Sequence, residues 1–534
     1  MIATIENNII YSPYEKCDIP CCSVYTAVKA CLGVADAKLA VVDYTISLTR
    51  AELLKSIQRF AAGLQALGIT IGDRVCVHVK NSVENFIAVQ GIIFTGATVI
   101  LAKTSLTERE LHYQMSDGDA THILTDPQHS QKVLDVAARL KLKGLLMMGE
   151  DAAFTSVSGF SNLDEDQFQE VPIGDPENTV VAICYSSGAT GMPKGVEITH
   201  RGFVAHLHLG RTCTACDEND VFLAWNPITH LSGFLTTLLA ACIGATCVIV
   251  TPALTFNQFY DICNKFQVTA FLSFPSRLRS LVEHMHKTGT TLDRVVKISV
   301  AGSTLTESLA LKAGAVFRNL ISFRNVYALT ESGGVVVAPP QREINYTDLG
   351  FPAPMVEVKF LDPETKVRLG PFNQGELVFR SPTTMRGYYK QPKATAEFLE
   401  PSGWCHSGDI GFYDNSGRIH FVRRLKDVIK CMDNQVAPAE LEDILLRCHE
   451  GIADVAVVGL PHPEYGEAAA AFILPKDEPG THADISAREV KRLIAETCSK
   501  YKQLFGGVYF VHSLPRMKSG KVIKSALIEA ATHQ

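Results

Sequence analysis

The chain has 534 residues, which is more than one hydrophobic core normally holds, so a single small module is excluded. A composition with 46% hydrophobic and 20% charged residues excludes an intrinsically disordered or fibrous protein. The 50 basic residues stand against 56 acidic ones, and this balance excludes a broadly basic surface for nucleic acid or for an anionic membrane.

Cysteine usage and the termini bear on the cell compartment. The 15 cysteines are odd in number and scattered, which favours a reducing compartment. We interpret Cys213 and Cys216 as packed thiols, because zinc would need a second such pair or nearby histidines. Residues 1–20 lack the apolar run of a signal peptide, and the apolar stretch 238–250 is shorter than the roughly 20 residues that cross a bilayer. We therefore expect a cytoplasmic protein without a transmembrane segment; the absence of a Ser-Lys-Leu type ending makes a peroxisomal location less expected.

Short β-branched segments alternate with amphipathic ones through the first 400 or so residues. Residues 73–79 and 97–101 have the pattern of buried strands, and residues 86–94 between them have that of a helix. This alternation predicts βαβ units with mainly parallel sheets, whereas the turn residues within 361–379 predict a hairpin. The expected fold of residues 1–424 is a large α/β body.

A charged segment at residues 423–427 separates this body from a C-terminal piece. The patterns there predict helices at residues 439–448 and 487–499 and strands at residues 455–460, 470–474 and 508–511. Residues 425–534 are therefore predicted to form a small α+β domain.

A glycine loop follows the predicted strand at residues 180–185. Its glycines allow main-chain N–H groups to approach an anion closely, its hydroxyls add donors and its lysine adds a positive charge; the residues concerned are Ser186, Ser187, Gly188, Ala189, Thr190, Gly191 and Lys194. It is not a Walker A loop, because Lys194 follows proline and precedes glycine. Taken alone, the loop fits a structural turn as well as a phosphate site.

Four further motifs follow in order at residues 325–331, 404–409, 424–426 and 515–521. Together with residues 185–195 they resemble the adenylate-forming superfamily of acyl-CoA synthetases, 4-coumarate-CoA ligases and firefly luciferases. The resemblance covers nearly the whole chain. It implies a large α/β body of several subdomains with a small mobile α+β domain, and ATP, Mg²⁺ and CoA as cofactors. The implied activity is conversion of a hydrophobic carboxylic acid, fatty or cinnamic, to an acyl-adenylate and then to an acyl-CoA.

The resemblance assigns catalytic roles to three residues. Lys521 would bridge the acid and the α-phosphate of ATP, Glu331 would hold Mg²⁺ through oxygen, and His230 would steer the acid's carboxylate. Without the motifs they would be interpreted as a solvated lysine, a surface carboxylate and a core histidine.

The nucleotide and the acyl group are assigned to further residues by the same resemblance. Tyr327 would stack on adenine, and Asn325 would accept a hydrogen bond from the adenine amine. Thr330 would donate a hydrogen bond to a phosphate, and Asp409 would accept hydrogen bonds from the ribose hydroxyls, with Arg424 nearby. The segment of Ala301, Gly302 and Ser303 would line the adenine and acyl pockets. The implied acyl pocket consists of His230, Phe234, Ala301, Ala328 and Val335.

The second half-reaction would require the small domain to rotate about Lys426, which would bring Lys430 to the AMP phosphate. Four departures from the family pattern bear on this chemistry. Ala189 replaces a phosphate-binding hydroxyl, and Ala328 replaces a glycine after Tyr327. Arg423 replaces an acidic residue, and Met432–Asp433 replaces a Lys-Gly pair on the CoA path. Adenylation is therefore the better supported half-reaction.

Two alternatives remain. A luciferase-like monooxygenase would share every motif, and a protein that binds nucleotide or acyl-adenylate with weak turnover would fit the changes at Ala189 and Ala328. The identity of the acid and the oligomeric state are not readable from the sequence.

Overall fold

A computed structural model describes residues 1–186, 192–214, 216–302, 305, 307–424, 428–476, 485–516 and 522–532. The chain divides into two compact units. The larger unit contains residues 1–104, 112–185 and 195–423. The smaller unit contains residues 424–534 together with two segments from earlier in the chain, residues 105–111 and 186–194.

The described helices, in chain order, are α1 (Val24–Leu32), α2 (Arg50–Ala66), α3 (Val83–Phe94), α4 (Glu108–Asp117), α5 (Ser130–Ala137), α6 (His200–Cys213), α7 (Leu231–Ile243), α8 (Phe256–Phe266), α9 (Pro275–Thr288), α10 (Glu307–Val316), α11 (Pro392–Phe398), α12 (Pro438–Cys448), α13 (Ala487–Thr497) and α14 (Lys524–Thr532). Several begin at a side-chain cap. In α2 and α13 the caps Thr49 and Ser486 exchange hydrogen bonds with a glutamate three residues on, which satisfies main-chain donors that the first turn leaves open.

The described strands, in chain order, are β1 (Thr4–Glu6), β2 (Ile9–Tyr11), β3 (Leu39–Val42), β4 (Ser47–Thr49), β5 (Arg74–His78), β6 (Thr98–Leu101), β7 (His122–Thr125), β8 (Gly144–Met147), β9 (Thr155–Ser156), β10 (Val180–Ser186), β11 (Lys194–Thr199), β12 (Val221–Ala224), β13 (Thr246–Ile249), β14 (Ala270–Ser273), β15 (Lys297–Ala301), β16 (Ser322–Ala328), β17 (Val335–Ala338), β18 (Ile344–Asn345), β19 (Phe351–Pro352), β20 (Glu357–Leu361), β21 (Gly375–Arg380), β22 (Gly387–Tyr388), β23 (Cys405–Tyr413), β24 (Ile419–Arg424), β25 (Ile429–Cys431), β26 (Asn434–Val436), β27 (Ile452–His462), β28 (Gly466–Pro475) and β29 (Gly507–Phe510).

Two large, mainly parallel sheets form the centre of the larger unit. One has the order β22-β11-β10-β6-β5-β7-β8-β9, and the other has the order β19-β17-β16-β15-β14-β12-β13-β3-β4, with β18 beside β16. The second sheet is buried on both faces. Alternate residues of β12 belong to different cores, since Phe222 packs in the core that contains α1, α2, α3, α6 and α7, whereas Leu223 packs in the core of α8, α9 and α10.

A third sheet, of order β1-β2-β20-β21-β23-β24, completes the larger unit. Its apolar residues share one core with β16 and β17, in which Tyr327 and Val336 lie with Phe360, Phe379 and Tyr413. This shared core brings β23 close to the end of β16, and both strands carry candidate site residues.

The smaller unit contains a five-stranded sheet of order β26-β25-β28-β27, with β29 parallel to β28. The strands β27 and β28 form a long antiparallel hairpin, and α12 and α13 pack their apolar faces on the sheet. The α+β pattern agrees with the sequence-based expectation, although β27 and β28 extend beyond the predicted 455–460 and 470–474.

The predicted mixed α/β architecture is confirmed. The strands predicted at 73–79 and 97–101 are β5 and β6, which pair in parallel around α3, and the hairpin predicted within 361–379 is β20–β21. The apolar stretch 238–250 is the end of α7 and then β13, separated by Gly244 at a φ of 103°. Within the described residues, the helices lack the length and apolarity needed to cross a membrane.

Candidate active site

The end of β16 and the turn after it carry five of the candidate residues. Asn325, Tyr327 and Ala328 lie on the strand, and Thr330 and Glu331 lie in the turn that follows. The neighbouring strand β15 runs parallel, with Ala301 opposite Val326, so that Ala301 and Gly302 emerge at the same sheet edge. Ligand sites of parallel sheets form at such carboxyl ends, and the structure therefore brings these two predicted segments together.

The side chain of Tyr327 is joined to the ribose candidate. Its hydroxyl donates a hydrogen bond of 2.5 Å to Oδ2 of Asp409, a residue of β23 in the six-stranded sheet. Both residues are buried, with 9% and 1% of their surfaces exposed. The main-chain N–H of Asp409 donates to Ser407 Oγ at 3.1 Å, and Gly408 between them adopts a φ of 69°. A charge-assisted bond of this kind fixes the tyrosine ring and the carboxylate relative to each other.

Glu331 is held by a tyrosine that the motifs do not include. The Tyr388 hydroxyl donates to Glu331 Oε1 at 3.0 Å, and the main-chain carbonyl of Glu331 accepts from Met385 N at 3.0 Å. Burial, and then the charge of Glu331, raises the pKa of Tyr388, so this hydroxyl stays a donor over the physiological range. Nothing in the local sequence around residues 385–388 marks Tyr388, because its partner lies 57 positions away.

The turn that presents Glu331 is itself held tightly. Ser332 Oγ accepts from the main-chain N–H of Leu329 at 3.0 Å, and Thr383 Oγ1 donates to the carbonyl of Ser332 at 2.7 Å. Gly333 has a φ of 59°, and a Cβ there would lie 2.1 Å from the carbonyl oxygen of Thr383. Only glycine permits this approach, which fixes the position from which Glu331 projects.

His230 caps the N-terminus of α7. Its Nδ1 accepts from the main-chain N–H of Ser232 at 3.3 Å, so that a neutral ring carries its proton on Nε2. The ring lies edge-on to Phe274 with centroids 6.4 Å apart. Phe274 also covers Gly302, where a Cβ would be 2.6 Å from Cδ1 of that ring. The structure thus brings His230 and Gly302 to one aromatic side chain that the motifs do not include.

The other acyl-pocket candidates lie in different surroundings. Phe234 is 1% exposed and packs edge-on against Phe203 at 5.2 Å within the core. Ala328 is exposed and pairs with half-buried Val335 across β16 and β17, next to an irregularity in the register. Ala328 and Val335 therefore lie at the strand end, whereas Phe234 lies in the packing behind His230.

Four of the candidates that the structure describes belong to the smaller unit. Ser186 is buried at the end of β10, half-buried Lys194 begins β11, and half-buried Arg424 ends β24. Lys430 is half-buried on β25, where its main-chain N–H donates to Glu467 Oε2 at 2.7 Å. The remaining predicted site residues lie outside the described residues: Ser187, Gly188, Ala189, Thr190, Gly191, Ser303, Lys426 and Lys521.

Met432 and Asp433 form a two-residue turn between β25 and β26, since Cys431 pairs with Asn434. Both turn residues have a positive φ, 50° for Met432 and 61° for Asp433. Two successive left-handed residues make the hairpin turn that favours Asn-Gly, and a side chain at each position strains it. The family's glycine at the second position would fit this backbone better than Asp433 does.

Among the described residues, no group of three or more His, Cys, Asp or Glu side chains is arranged to hold a metal ion. Among these residues, Glu331 is therefore not part of a group of three such side chains. One carboxylate with substrate phosphates is a usual way of binding Mg²⁺ in nucleotide sites, and the donor set here fits that arrangement.

The family model described as AMP-binding enzyme matches residues 32–389, and the model described as AMP-binding enzyme C-terminal domain matches residues 440–521. The chain belongs to the AMP-binding enzyme family. This AMP-binding enzyme is 30% identical to 4-coumarate-CoA ligase 1 of Petroselinum crispum over 497 residues, which cover 90% of the chain and 88% of the relative. It is also 30% identical to luciferin 4-monooxygenase of Photinus pyralis over 527 residues, 95% of the chain and 93% of the relative.

Solved structures give the same fold for this AMP-binding enzyme. The amide bond synthetase McbA from Marinactinospora thermotolerans superposes with a TM-score of 0.84 at 23% identity, covering 95% of this chain and 99% of that one. At this identity the likeness concerns the fold alone. The sequence relatives include a CoA ligase and a luciferase, and with the family models they show that the chain is an adenylate-forming enzyme by family.

Proposed function

We propose that this enzyme uses ATP and Mg²⁺ to activate a hydrophobic carboxylic acid, fatty or cinnamic, as an acyl-adenylate and transfers the acyl group to CoA. The observation that carries the proposal is the pairing of Tyr327 with Asp409 and of Glu331 with Tyr388 around the end of β16. These contacts hold an aromatic ring and two carboxylates at the sheet edge where a nucleotide would bind.

In this proposal the adenine and the ribose are bound by residues of the larger unit. The Asp409 carboxylate accepts hydrogen bonds from the ribose hydroxyls while its other bond, from Tyr327, keeps it oriented. Asn325 and the small residues Ala301 and Gly302 leave room for the adenine at the ends of β15 and β16. Thr330 donates to a phosphate oxygen from the turn.

Glu331 would hold Mg²⁺ together with phosphate oxygens, and the ion would neutralise negative charge on the phosphates. Tyr388 fixes the carboxylate, since its hydroxyl donates to Glu331 Oε1. Lys194 and the glycine loop of residues 186–191 would contribute further donors to the β- and γ-phosphates.

The acid would lie near His230. With Nδ1 accepting from Ser232, the Nε2–H of a neutral His230 is the donor that steers the acid's carboxylate toward the α-phosphate. Phe274, Ala328 and Val335 would form apolar walls for the acyl chain. Lys521 would stabilise charge on the acid and the α-phosphate as the new bond forms and pyrophosphate leaves.

Transfer of the acyl group to CoA is the proposed second half-reaction. It would follow rotation about Lys426, which would place Lys430 near the AMP phosphate, and the thiol would then attack the adenylate carbonyl and release AMP. Met432 and Asp433, in their strained turn, stand where the family has a Lys-Gly pair on the CoA path. We therefore expect thiolation to be the slower half-reaction.

A luciferase-like monooxygenase is the second candidate function, favoured by the 30% identity with luciferin 4-monooxygenase over 95% of the chain. It shares the adenylation step and differs afterwards, because oxygen rather than a thiol attacks the activated acid. A third possibility is a protein that binds nucleotide or acyl-adenylate with weak turnover, which the replacements at Ala189 and Ala328 favour.

The deciding experiment is AMP release measured over a panel of fatty and cinnamic acids, with and without CoA, in the wild type and in Lys521→Ala. We expect acid-dependent pyrophosphate exchange in the wild type and a loss of at least about 100-fold in Lys521→Ala, while ATP affinity changes little. Lys518→Ala is the matched control, since it removes an equal charge from the same motif. Equal adenylation rates in wild type and Lys521→Ala would refute the role of Lys521, and light emission with luciferin and oxygen would favour the monooxygenase.

A further inference from the structure

Two cysteines from distant parts of the chain lie side by side on packed helices of the larger unit. Cys31 is in the last turn of α1 and is half-buried, whereas Cys242 is near the end of α7 and is 2% exposed. The Cys242 thiol lies near enough to the Cys31 thiol to shift its pKa, and neither cysteine is in a disulfide.

A buried arginine holds the main chains of both cysteines. Arg50 is 3% exposed, and its Nη2 donates to the carbonyl oxygens of Cys31 and Cys242, the latter at 3.4 Å. Its other nitrogens donate to Ala241 O at 2.6 Å and Val34 O at 2.7 Å. Because one nitrogen reaches both cysteine carbonyls, the two carbonyl oxygens lie within the roughly 6 Å that two such hydrogen bonds span.

A second arginine lies beside the more accessible thiol. Arg211 Nη2 is 3.4 Å from Cys31 Sγ, and Arg211 is itself exposed near the end of α6. The neighbouring Cys242 thiol lowers the pKa of Cys31, and the charges of Arg211 and Arg50 act in the same direction, against the effect of burial. The neighbouring Cys31 thiol, together with burial, raises the pKa of Cys242. Both directions favour the thiolate on Cys31 and the proton on Cys242.

We propose that Cys31 and Cys242 form a reversible thiol–disulfide site that a hydroperoxide oxidises. An accessible thiolate beside guanidinium groups is the arrangement that reacts with peroxides, and a second thiol in contact with it resolves the product. Metal binding is a weaker interpretation of these cysteines, since no group of three metal-ligating side chains occurs in the part of the chain that the structure describes.

The chemistry balances with the hydroperoxide as sole oxidant. The Cys31 thiolate attacks the outer oxygen of the O–O bond, which breaks to release an alcohol or water after uptake of one proton, and leaves a sulfenic acid on Cys31. The sulfur of Cys242 then attacks Cys31, the S–O bond breaks, and the proton of Cys242 leaves with the hydroxyl as water. In sum, two thiols lose two hydrogens and the hydroperoxide gains two electrons.

The disulfide would join the end of α1 to the end of α7, the helix whose first turn His230 caps. Both cysteines are free in the structure, and in a reducing compartment the dithiol would be the resting form. The site is separate from the residues of the proposed adenylation chemistry, so its test does not depend on the substrate.

The test is to treat the intact protein with hydrogen peroxide, block the remaining thiols with iodoacetamide, and map the cysteines by mass spectrometry of the digest. We expect a peptide pair linked through Cys31 and Cys242 that dithiothreitol separates. Cys242→Ala should leave Cys31 as a sulfenic acid that dimedone traps, and Cys448→Ser, which removes an exposed cysteine of α12, should leave the cross-link unchanged.

A second measurement does not depend on cross-link formation. Arg211→Gln should slow the reaction of Cys31 with iodoacetamide at pH 7 by about 3- to 10-fold, because the positive charge beside the sulfur is lost. The proposal is overturned if Cys31 pairs instead with Cys17 or Cys22, if it stays reduced at peroxide levels that oxidise Cys448, or if Arg211→Gln leaves its alkylation rate unchanged.

Discussion

The hydroxyl of Tyr327 donates to the carboxylate of Asp409 at 2.5 Å, which joins the end of β16 to β23 of another sheet. Both partners are buried, so the bond matters for folding as well as for the arrangement of the candidate nucleotide site. The core that the two sheets share places the two strands together, and the bond then fixes the ring against the carboxylate.

Removing this hydroxyl tests its contribution. Tyr327→Phe should lower the free energy of unfolding by about 1.5–3 kcal/mol, because a buried carboxylate loses a hydrogen bond. It should also raise the KM for ATP, since Asp409 is no longer oriented. Urea denaturation and pyrophosphate exchange measure the two effects.

Tyr389→Phe is the matched control, since the Tyr389 hydroxyl donates to Asp119 at 2.8 Å and the Asp119 side chain is 46% exposed. That loss should cost less than about 0.5 kcal/mol. Equal destabilisation by the two substitutions would contradict the importance of burial at Asp409.

The bond from Tyr388 to Glu331 predicts a separate effect on metal use. In Tyr388→Phe the carboxylate is less well oriented, and we expect kcat for adenylation to fall by about 3- to 10-fold with a higher Mg²⁺ requirement. Glu331→Gln should lose at least about 100-fold, because the charge itself is gone. Adenylation rates measured across a Mg²⁺ titration check both values; a Tyr388→Phe enzyme with an unchanged Mg²⁺ dependence would contradict the positioning role.

The turn between β25 and β26 predicts that two substitutions stabilise the protein. Replacing Met432 by Asn and Asp433 by Gly supplies the residues that a turn with two positive φ angles favours, and the free energy of unfolding should rise by about 1–2 kcal/mol. Thermal unfolding of the intact protein measures the change. Met432→Ala keeps the strain and should give no gain.

Asp433→Gly alone also tests the proposed CoA path. If a negative side chain on this turn slows thiolation, the single substitution should raise the CoA-dependent rate several-fold and leave acid-dependent pyrophosphate exchange unchanged. A slower CoA-dependent step in this variant would argue against a path beside the turn.

A buried ionic cluster in the smaller unit predicts its pH dependence. Lys502 Nζ lies 2.7 Å from Glu110 Oε1 and 3.0 Å from Glu440 Oε2, and the three side chains are at most 4% exposed. Burial would raise the pKa of Glu110, but the charge of Lys502 and hydrogen bonds from Lys502 and Ser499 leave it lowered. Burial would lower the pKa of Lys502, yet its anionic neighbours leave it raised.

The lowered pKa of Glu110 and the raised pKa of Lys502 determine how the stability changes with pH. A carboxyl whose folded pKa is lowered stabilises the fold above its unfolded pKa, and this stability is lost as the pH falls through the folded value. The raised pKa of Lys502 keeps its contribution in place until the solution is strongly alkaline. The free energy of unfolding should therefore be flat around neutrality and fall below about pH 4, near the unfolded pKa of glutamate.

Lys502→Met should remove about 3–5 kcal/mol at pH 7, since it leaves the buried Glu110 carboxylate without its cation, while Glu440 keeps Arg109 at 3.0 Å. It should also weaken the acid dependence, which urea titrations at pH 7 and pH 4 can measure. Lys500→Met, at an exposed position two residues away, is the control and should change stability little. A Lys502→Met protein as stable as the wild type would refute the cluster's role.

The sequence by itself determined the helices and strands and the order of the motifs along the chain. The alternation around residues 73–101 predicts β5, α3 and β6, and the strand before the glycine loop is β10, because side-chain periodicity and turn residues act over a few positions. The same local patterns place Asn325, Tyr327, Thr330 and Glu331 at one strand end. The resemblance then led to the AMP-binding enzyme family, which the comparison confirmed.

Only the tertiary structure decided which side chains meet. Tyr327 and Asp409 are 82 positions apart, Glu331 and Tyr388 are 57 apart, and Cys31 meets Cys242 through packing of α1 on α7. Such pairs leave no periodic trace in a single sequence, because they depend on how separate sheets and helices pack. Phe274 and Tyr388 could not be found from the motifs for this reason: each acts on a site residue through space, from an element whose own pattern signals only packing.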